Sequence, residues 1–253
     1  LYHYCYCSLS LCTIGGIILA FGDSSLTEGL TAKSRTHHRV APPVFHPYAL
    51  NLRALMPNTT VDERGLSGEV VEHMRARLKG VMLEASLKSK VPRVIVILGG
   101  TNDIGMMRSK ERTAETVIGM HEDMRLLRDH HRSEYGALLH TVAVTMPILT
   151  HDHNRAGRLH VNRALRRYTE RSSAEHGGFS LLLDIENLFL MQKCIPVPEA
   201  AGADPGCAGA PFAASNQQFW DPLSPLHFSE HGYDALGRIV YERLCKDKVV
   251  FTE

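Results

Sequence analysis

The chain of 253 residues is long enough for one α/β domain with a substantial core, or at most for two small domains. Its 28 Lys and Arg nearly balance its 27 Asp and Glu, so a formal net charge of +1 gives no long-range attraction to nucleic acid or to an anionic membrane. An apolar share of 44% and a charged share of 22% are ordinary for a soluble globular protein.

The start of the chain is mostly apolar. Residues 1–21 contain no charged side chain, which argues against an intact signal peptide because such a peptide begins with a basic region. A membrane-spanning helix needs roughly 20 apolar residues, and Gly15-Gly16 interrupts this stretch. We interpret residues 14–21 as a buried strand and residues 1–12 as a loose tail or the remnant of a leader. No stable membrane span is expected, and whether the soluble protein is secreted stays open.

Short β-branched runs then alternate with longer amphipathic segments. In chain order the sequence predicts strand 14–21, helix 48–55, strand 59–61, helix 69–87, strand 93–98, helix 113–131, strand 137–146, helix 154–175, strand 179–185 and helix 230–245. Strands that alternate with helices predict a parallel sheet covered on both faces. Neither a repeat nor a linker interrupts the pattern, so we expect a single domain over residues 1–253.

One long segment has no helical or strand period. Residues 190–220 are rich in Gly, Pro and Ala and are predicted to form a loop insertion close to the ligand-binding edge of the sheet. Cys194 and Cys207 lie within it, either as a disulfide or as two free thiols.

Chemistry is first suggested by the segment Gly22-Asp23-Ser24-Ser25-Leu26-Thr27, directly after the first strand. Ligands of a parallel sheet bind outside the carboxyl ends of its strands. A Ser on a tight turn there presents its hydroxyl at the sheet edge, and the backbone N–H groups that follow can face a developing oxyanion. By itself, the segment is equally explained by a Ser that caps a helix.

Two further segments offer hydrogen-bond donors at the same edge. Gly65-Leu66-Ser67-Gly68-Glu69 follows a strand and opens a predicted helix, which makes the Gly68 N–H an orphan donor available to an anion. Read alone, the segment is better explained by a plain loop glycine, with Ser67 as the N-cap of the helix. Leu98-Gly99-Gly100-Thr101-Asn102-Asp103 closes the most apolar strand, and Asn102 can donate its side-chain amide to an oxyanion.

The fourth segment supplies a base. Leu226-His227 precedes Gly232-Tyr233 and a predicted helix. A Ser hydroxyl is a poor nucleophile unless a neighbouring base takes its proton. His227 can take this proton and return it to the leaving alkoxide. The cluster His151-Asp152-His153 is interpreted as a solvated turn, so no metal is expected.

In this order, from residue 22 to residue 233, the four segments resemble the blocks of the SGNH (GDSL-type) hydrolase superfamily. The resemblance implies a flavodoxin-like three-layer α/β/α sandwich with a central parallel sheet of about five strands. It also implies a serine esterase that needs no cofactor. The implied substrate is a small-molecule ester, namely an acyl ester, a lipid or an acetylated sugar.

The resemblance assigns roles residue by residue. It implies that Ser24 is the nucleophile and that His227 is the base. The oxyanion hole would consist of the backbone N–H of Ser24, the backbone N–H of Gly68 and the side-chain amide of Asn102. An acyl-enzyme formed on Ser24 would then be hydrolysed by water.

The sequence departs from the family pattern at two positions. The family places its acid in an Asp-x-x-His block, and the matching position here is Ser224. We hypothesise that Asp221, the nearest acid before His227, orients the imidazole. The alternative is a Ser-His dyad in which Ser224 or a backbone carbonyl holds the imidazole. The serine is also doubled, so Ser25 competes with Ser24 as nucleophile, and we favour Ser24 because it directly follows the strand.

Hydrolysis of carboxylic esters is therefore the function that the sequence predicts. An O-acyltransferase on the same scaffold is the first alternative, because a sugar hydroxyl can replace water as the acyl acceptor. A binding module with impaired catalysis is the second, and the displaced acid is its support.

Overall fold

The computed structural model describes residues 16–23, 47–130, 139–148, 154–186, 219–220 and 227–246. Five parallel strands form one sheet in the order β2-β1-β3-β4-β5. They are β1 (Gly16–Asp23), β2 (Thr59–Leu66), β3 (Val94–Leu98), β4 (His140–Val144) and β5 (Ser180–Leu183). This is the strand order of flavodoxin-like doubly wound proteins, and it confirms the predicted fold class.

Helices flank the sheet in the described part of the chain. They are α1 (Tyr48–Leu55), α2 (Val71–Leu87), α3 (Thr101–Gly105), α4 (Lys110–His130), α5 (Arg155–Glu175) and α6 (Glu230–Lys246). The predicted helix 48–55 agrees with α1 at both ends, and the other four predicted helices differ by a few residues at their ends. The predicted tail over residues 1–12 lies outside the described residues, as does the predicted insertion over 190–220 except for residues 219 and 220.

Two predicted elements need correction. The predicted strand 59–61 is too short, because β2 continues to Leu66. Residues 62–66 of β2 read Asp-Glu-Arg-Gly-Leu and have no regular apolar pattern, but β1 pairs with β2 along its full length, from Gly16 opposite Thr59 to Asp23 opposite Leu66. The predicted strand 14–21 also ends too early, because β1 continues to Asp23. The segment after β3, for which no helix was predicted, continues into the short helix α3.

The core consists of two apolar layers, one on each face of the sheet. Side chains alternate between the faces along a strand, so Ile18 and Ala20 pack against α1 and α6. Leu19 and Phe21 point the other way, toward α2, α4 and α5. All residues of β3 are buried. This explains why its sequence is a continuous apolar run without alternation.

The winding of the chain creates a crevice beside β1. After β1 the chain forms β2 on one side and then crosses to form β3 on the other side. Ligands of such sheets bind outside the carboxyl ends of the strands at this switch point. Three of the four segments singled out in the sequence follow β1, β2 and β3, the strands that surround this crevice.

A buried histidine lies in the layer formed by α4. His121 is fully buried, and its Nδ1 lies 2.8 Å from Oγ1 of Thr141 on β4. Thr141 continues the polar contact to Oγ of Ser180 on β5, at 2.7 Å. Burial disfavours the charged imidazolium and lowers the pKa of His121 to about 3.

This burial predicts that the protein loses stability in mild acid. Below the ordinary histidine pKa of about 6.5, the unfolded chain binds a proton at residue 121 that the folded protein does not bind until pH falls to about 3. Between these two pH values the contribution of His121 to the free energy of unfolding falls as pH decreases, by up to about 1.4 kcal/mol per pH unit. His121→Gln should therefore flatten the dependence, as measured by urea unfolding between pH 7 and pH 4. Equal slopes for the two proteins would contradict this prediction.

Candidate active site

The end of β1 is held firmly in the sheet. Asp23, its last residue, is fully buried and lies opposite Leu66, the last residue of β2. The predicted nucleophile Ser24 is the next residue, and both Ser24 and its competitor Ser25 lie outside the described residues. The structure therefore fixes the point from which the chain reaches residue 24.

Gly68 lies in a tight turn between β2 and α2. The backbone N–H of Glu69 donates to the carbonyl of Leu66 at 3.3 Å, and Gly68 has a φ of +74° in this turn. A left-handed conformation at this place in a turn favours glycine, because a side chain would be strained there. A Cβ built on Gly68 meets no atom within 4 Å, so the turn faces open space.

This turn corrects the sequence-based explanation of Gly68. The N–H of Gly68 was predicted to be an orphan donor in the first turn of a helix. Helix α2 begins only at Val71, and its N-cap is Val70. Gly68 therefore lies before the helix, and the alternative with Ser67 as the N-cap is wrong as well. The turn, and not the end of a helix, therefore determines the orientation of the Gly68 backbone.

The polar residues after β3 hold this turn in place. Gly100 has a φ of +104° and directs the chain into α3. The side-chain Nδ2 of Asn102 donates to the carbonyl of Glu69 at 3.0 Å. Oδ2 of the buried Asp103 accepts from the N–H of Val71, also at 3.0 Å. The structure thus brings together Asn102 and the Gly68 turn, which the sequence had singled out separately.

A cavity of about 230 Å³ lies next to these residues, between the start of α2 and the start of α4. Glu72 forms ion pairs there with Nη1 of Arg108 at 3.0 Å and with Nε of Arg112 at 2.6 Å. The two guanidinium groups in the cavity wall are therefore compensated by a carboxylate. Burial raises the pKa of Asp103, which also lines the cavity.

His227 lies just before α6, and only 5% of it is exposed. The helix is capped by Ser229, whose Oγ accepts from the N–H of Gly232 at 3.2 Å. Capping by a residue so close to His227 sets the direction in which the chain enters the helix. The proposed acid Asp221 and the alternative Ser224 lie outside the described residues.

The segment before the base is anchored to the segment after it. Trp220 and Phe228 form an antiparallel bridge, and their rings lie 4.7 Å apart. The N–H of Ser229 also donates to the carbonyl of Phe219 at 3.0 Å. A Cβ on Gly232 would lie only 2.1 Å from this carbonyl oxygen, so glycine is required at position 232. Both Trp220 and Phe228 belong to the core on the α1 side.

Sequence reasoning missed one charged pair at this edge. Nη2 of Arg77 on α2 lies 2.5 Å from Oε2 of Glu69, in the turn that contains Gly68. The available signal was the position of Arg77 three residues after Met74 and one before Leu78, on the buried side of the helix. Nothing local in the sequence indicates which carboxylate it binds.

The described ranges contain neither a candidate metal site nor a membrane-spanning helix. No group of three or more His, Cys, Asp and Glu side chains within them is arranged to hold a metal ion. None of the helices described there is both long and apolar enough to cross a bilayer.

A five-stranded parallel sheet with helices on both faces is consistent with the α/β/α fold of the SGNH (GDSL-type) hydrolases. The chain belongs to the GDSL-like Lipase/Acylhydrolase family, whose model matches residues 20–235. It is accordingly a hydrolytic enzyme of the esterase, lipase and acylhydrolase type. A search among curated proteins found no match to the chain.

Solved structures share this fold at low identity. A lipase/acylhydrolase from Enterococcus faecalis is 18% identical, with a TM-score of 0.58 over 92% of this chain and 96% of that one. A member of the lipolytic protein G-D-S-L family from Veillonella parvula is 16% identical, with a TM-score of 0.55 over 90% and 97%. LAE5, an alpha/beta hydrolase enzyme from the metagenome of Lake Arreo, is 17% identical, with a TM-score of 0.56 over 95% and 98%.

The left-handed turn predicts opposite effects for two glycine substitutions. Gly68→Ala should destabilise the protein by about 1 kcal/mol, because an L-residue is strained at positive φ. Gly80→Ala is the matched control, since Gly80 lies within α2 and a Cβ there also meets no atom within 4 Å. It should stabilise the protein by about 0.5–1 kcal/mol. Urea unfolding measures both values, and a Gly68→Ala protein as stable as the wild type would contradict the assigned turn.

Proposed function

We propose that the protein is a serine-dependent carboxylic ester hydrolase that works through an acyl-enzyme on Ser24. Its substrate class is a small-molecule ester, namely an acyl ester, a lipid or an acetylated sugar. The observation that carries this proposal is the hydrogen bond from Asn102 to the carbonyl of Glu69, which joins the segment after β3 to the turn that contains Gly68. β1 lies between these strands and ends one residue before Ser24.

The proposed reaction has two balanced steps. The Ser24 hydroxyl attacks the ester carbonyl carbon while His227 accepts its proton, and collapse of the tetrahedral intermediate expels the alcohol, which takes this proton from His227. A water molecule then attacks the acyl-enzyme with His227 again as the base. The acid is released, and Ser24 regains its hydroxyl.

The oxyanion would be stabilised by three donors. They are the backbone N–H groups of Ser24 and Gly68 and the amide of Asn102. An amide NH₂ group has two hydrogens, and one of them is donated to the Glu69 carbonyl. The second is the hydrogen we assign to the oxyanion. Loss of one such donor typically reduces kcat by about 10²–10³.

The anchored segment around His227 supports Asp221 as the orienting acid. Residues next to a bridged antiparallel pair fall opposite each other. Asp221 follows Trp220 and His227 precedes Phe228, and Trp220 and Phe228 are the bridged pair. We therefore propose that Asp221 accepts a hydrogen bond from the imidazole, although it stands farther from the base along the chain than the family pattern places it.

Two other carboxylates leave the sheet after β5, but they are engaged elsewhere. Asp184 binds Nε of Arg166 on α5 at 2.7 Å. Glu186 pairs with Arg158 and lies 2.5 Å from Nη2 of Arg166. Leu183 and Ile185, which alternate with them, face the opposite layer together with Phe228. The pairing with α5 favours Asp221 over both.

The nucleophile and base are tested by Ser24→Ala and His227→Ala, with Ser25→Ala as the matched control. Each catalytic variant should lower kcat for p-nitrophenyl acetate and butyrate by about 10⁴–10⁶, as removal of one member of a triad does. Ser25→Ala should keep its activity. A fluorophosphonate should label residue 24 in peptide mapping, and titration of the released acid should distinguish hydrolysis from acyl transfer.

Two results would reject this assignment. Labelling at residue 25, with activity kept in Ser24→Ala, would move the nucleophile to Ser25. A wild-type protein that neither hydrolyses these esters nor reacts with the fluorophosphonate would reject the esterase and favour the binding module.

The acid has its own test in Asp221→Ala. Loss of the group that orients the imidazole should reduce kcat by about 10²–10⁴, because His227 then samples the wrong tautomer and orientation. Ser224→Ala is the matched control and should retain kcat. The Ser-His dyad would be the correct description if Asp221→Ala kept full activity, and loss of activity in Ser224→Ala instead would point to the hydroxyl.

A further inference from the structure

We propose that Arg77 is a positioning residue that holds the Gly68 turn against the end of β1. This inference rests on the proposed function, because the turn matters to catalysis only if Gly68 donates to the oxyanion. Arg77 itself would not touch the substrate. It would act by setting the distance between the proposed donor and the nucleophile that follows β1.

The strongest contact of Arg77 is a fork with the carboxylate of Glu69. Its Nε lies 3.0 and 3.1 Å from the two carboxylate oxygens, and its Nη2 lies 2.5 Å from one of them. The side chains of Arg77 and Glu69 are only 22% and 9% exposed. Charge-assisted bonds of this fork geometry are short and directional, so they restrict orientation as well as distance.

The same guanidinium also binds the ends of two strands. Nη1 donates to the carbonyl of Arg64 on β2 at 3.0 Å, and Nη2 makes a longer contact of 3.4 Å to the carbonyl of Gly22 on β1. The guanidinium carbon lies 4.2 Å above the centre of the Phe21 ring, within the range of a cation–π contact. One side chain therefore joins β1, β2 and the turn between β2 and α2.

Glu69 transmits this restraint to the proposed oxyanion donors. Its carbonyl accepts from Asn102, and its carboxylate binds Arg77, so the residue next to Gly68 is held through both main chain and side chain. Without Arg77 the Glu69 carboxylate would lose its partner at a largely buried place, and it would have to turn toward water. Such a movement would shift Gly68 with respect to β1.

A shift of this kind has a distinct kinetic signature. A donor to the oxyanion acts mainly in the transition state, because the negative charge develops only there. Misplacement of such a group by about 1 Å can reduce the rate about 10²-fold. The loss should therefore appear in kcat and leave KM nearly unchanged.

Helix α2 offers a matched control in Arg75. Its Nε and Nη2 bind the carboxylate of Asp123 on α4 at 2.7 and 3.0 Å, a fork similar to that between Arg77 and Glu69. Both arginines lie on the same helix and pair with an acid from another segment. Only Arg77 binds a carboxylate that belongs to the turn containing Gly68.

The experiment compares Arg77→Met, Arg77→Lys and Arg75→Met in the full chain with p-nitrophenyl acetate. We expect Arg77→Met to lower kcat by about 10- to 100-fold and to change KM by less than about 3-fold. Arg77→Lys should lie between this variant and the wild type, because an ammonium keeps the charge but not the fork. Arg75→Met should keep the kcat of the wild type.

Hydrogen exchange gives a readout that does not depend on activity. The peptide that covers residues 64–70 should exchange faster in Arg77→Met than in Arg75→Met, because only the first variant releases the turn. If Arg77→Met does not fold, Arg77→Lys decides the question by the same two measurements.

Each outcome has a definite meaning. Equal kcat in Arg77→Met and Arg75→Met would overturn the inference, as would a loss confined to KM. A wild-type protein without esterase activity would reject the proposed function. The exchange of residues 64–70 would then decide whether Arg77 holds the turn, and equal exchange in the two variants would overturn that statement too.

Discussion

The carboxyl end of β1 lies between the ends of β2 and β3, and main-chain hydrogen bonds hold it from both sides. Parallel pairing makes all three strands end at one edge of the sheet. Three of the four segments singled out in the sequence leave the sheet from these strands. The tight turn with Gly68 and the left-handed Gly100 direct two of them toward each other. The crevice is thus a consequence of backbone pairing, before any side chain is considered.

Polar side chains then complete what the sheet begins. Asn102 and Asp103 follow β3. Asn102 donates a hydrogen bond to the carbonyl of Glu69, and Asp103 accepts one from the N–H of Val71. Arg77 adds a contact from α2 to the same segment through Glu69. A buried or half-buried polar group is costly unless it is paired. Each of these pairs therefore favours one relative position of the segments, and the proposed oxyanion hole would need such preorganisation.

The buried strands of the fold were predictable because both faces of the sheet are covered. Residues 93–98 form an apolar run that fits a buried parallel strand, and β3 lies within it. Residues 62–66 of β2 were missed, because their Asp-Glu-Arg-Gly-Leu sequence owes its strand conformation to pairing with β1. Helix α3 was missed because a segment of Gly, Thr, Asn and Asp is equally typical of a turn.

By itself, the sequence determined the family, the order of the donor-bearing segments and the residue types in them, since these depend on neighbours along the chain. Only the tertiary structure decided that Asn102 binds the carbonyl of Glu69, 33 residues away, and that Arg77 reaches the carbonyl of Gly22, 55 residues away. It also decided that Gly68 lies in a turn and not in a helix end. Contacts between distant residues depend on which strands become neighbours in the sheet, and no local period or spacing records that choice.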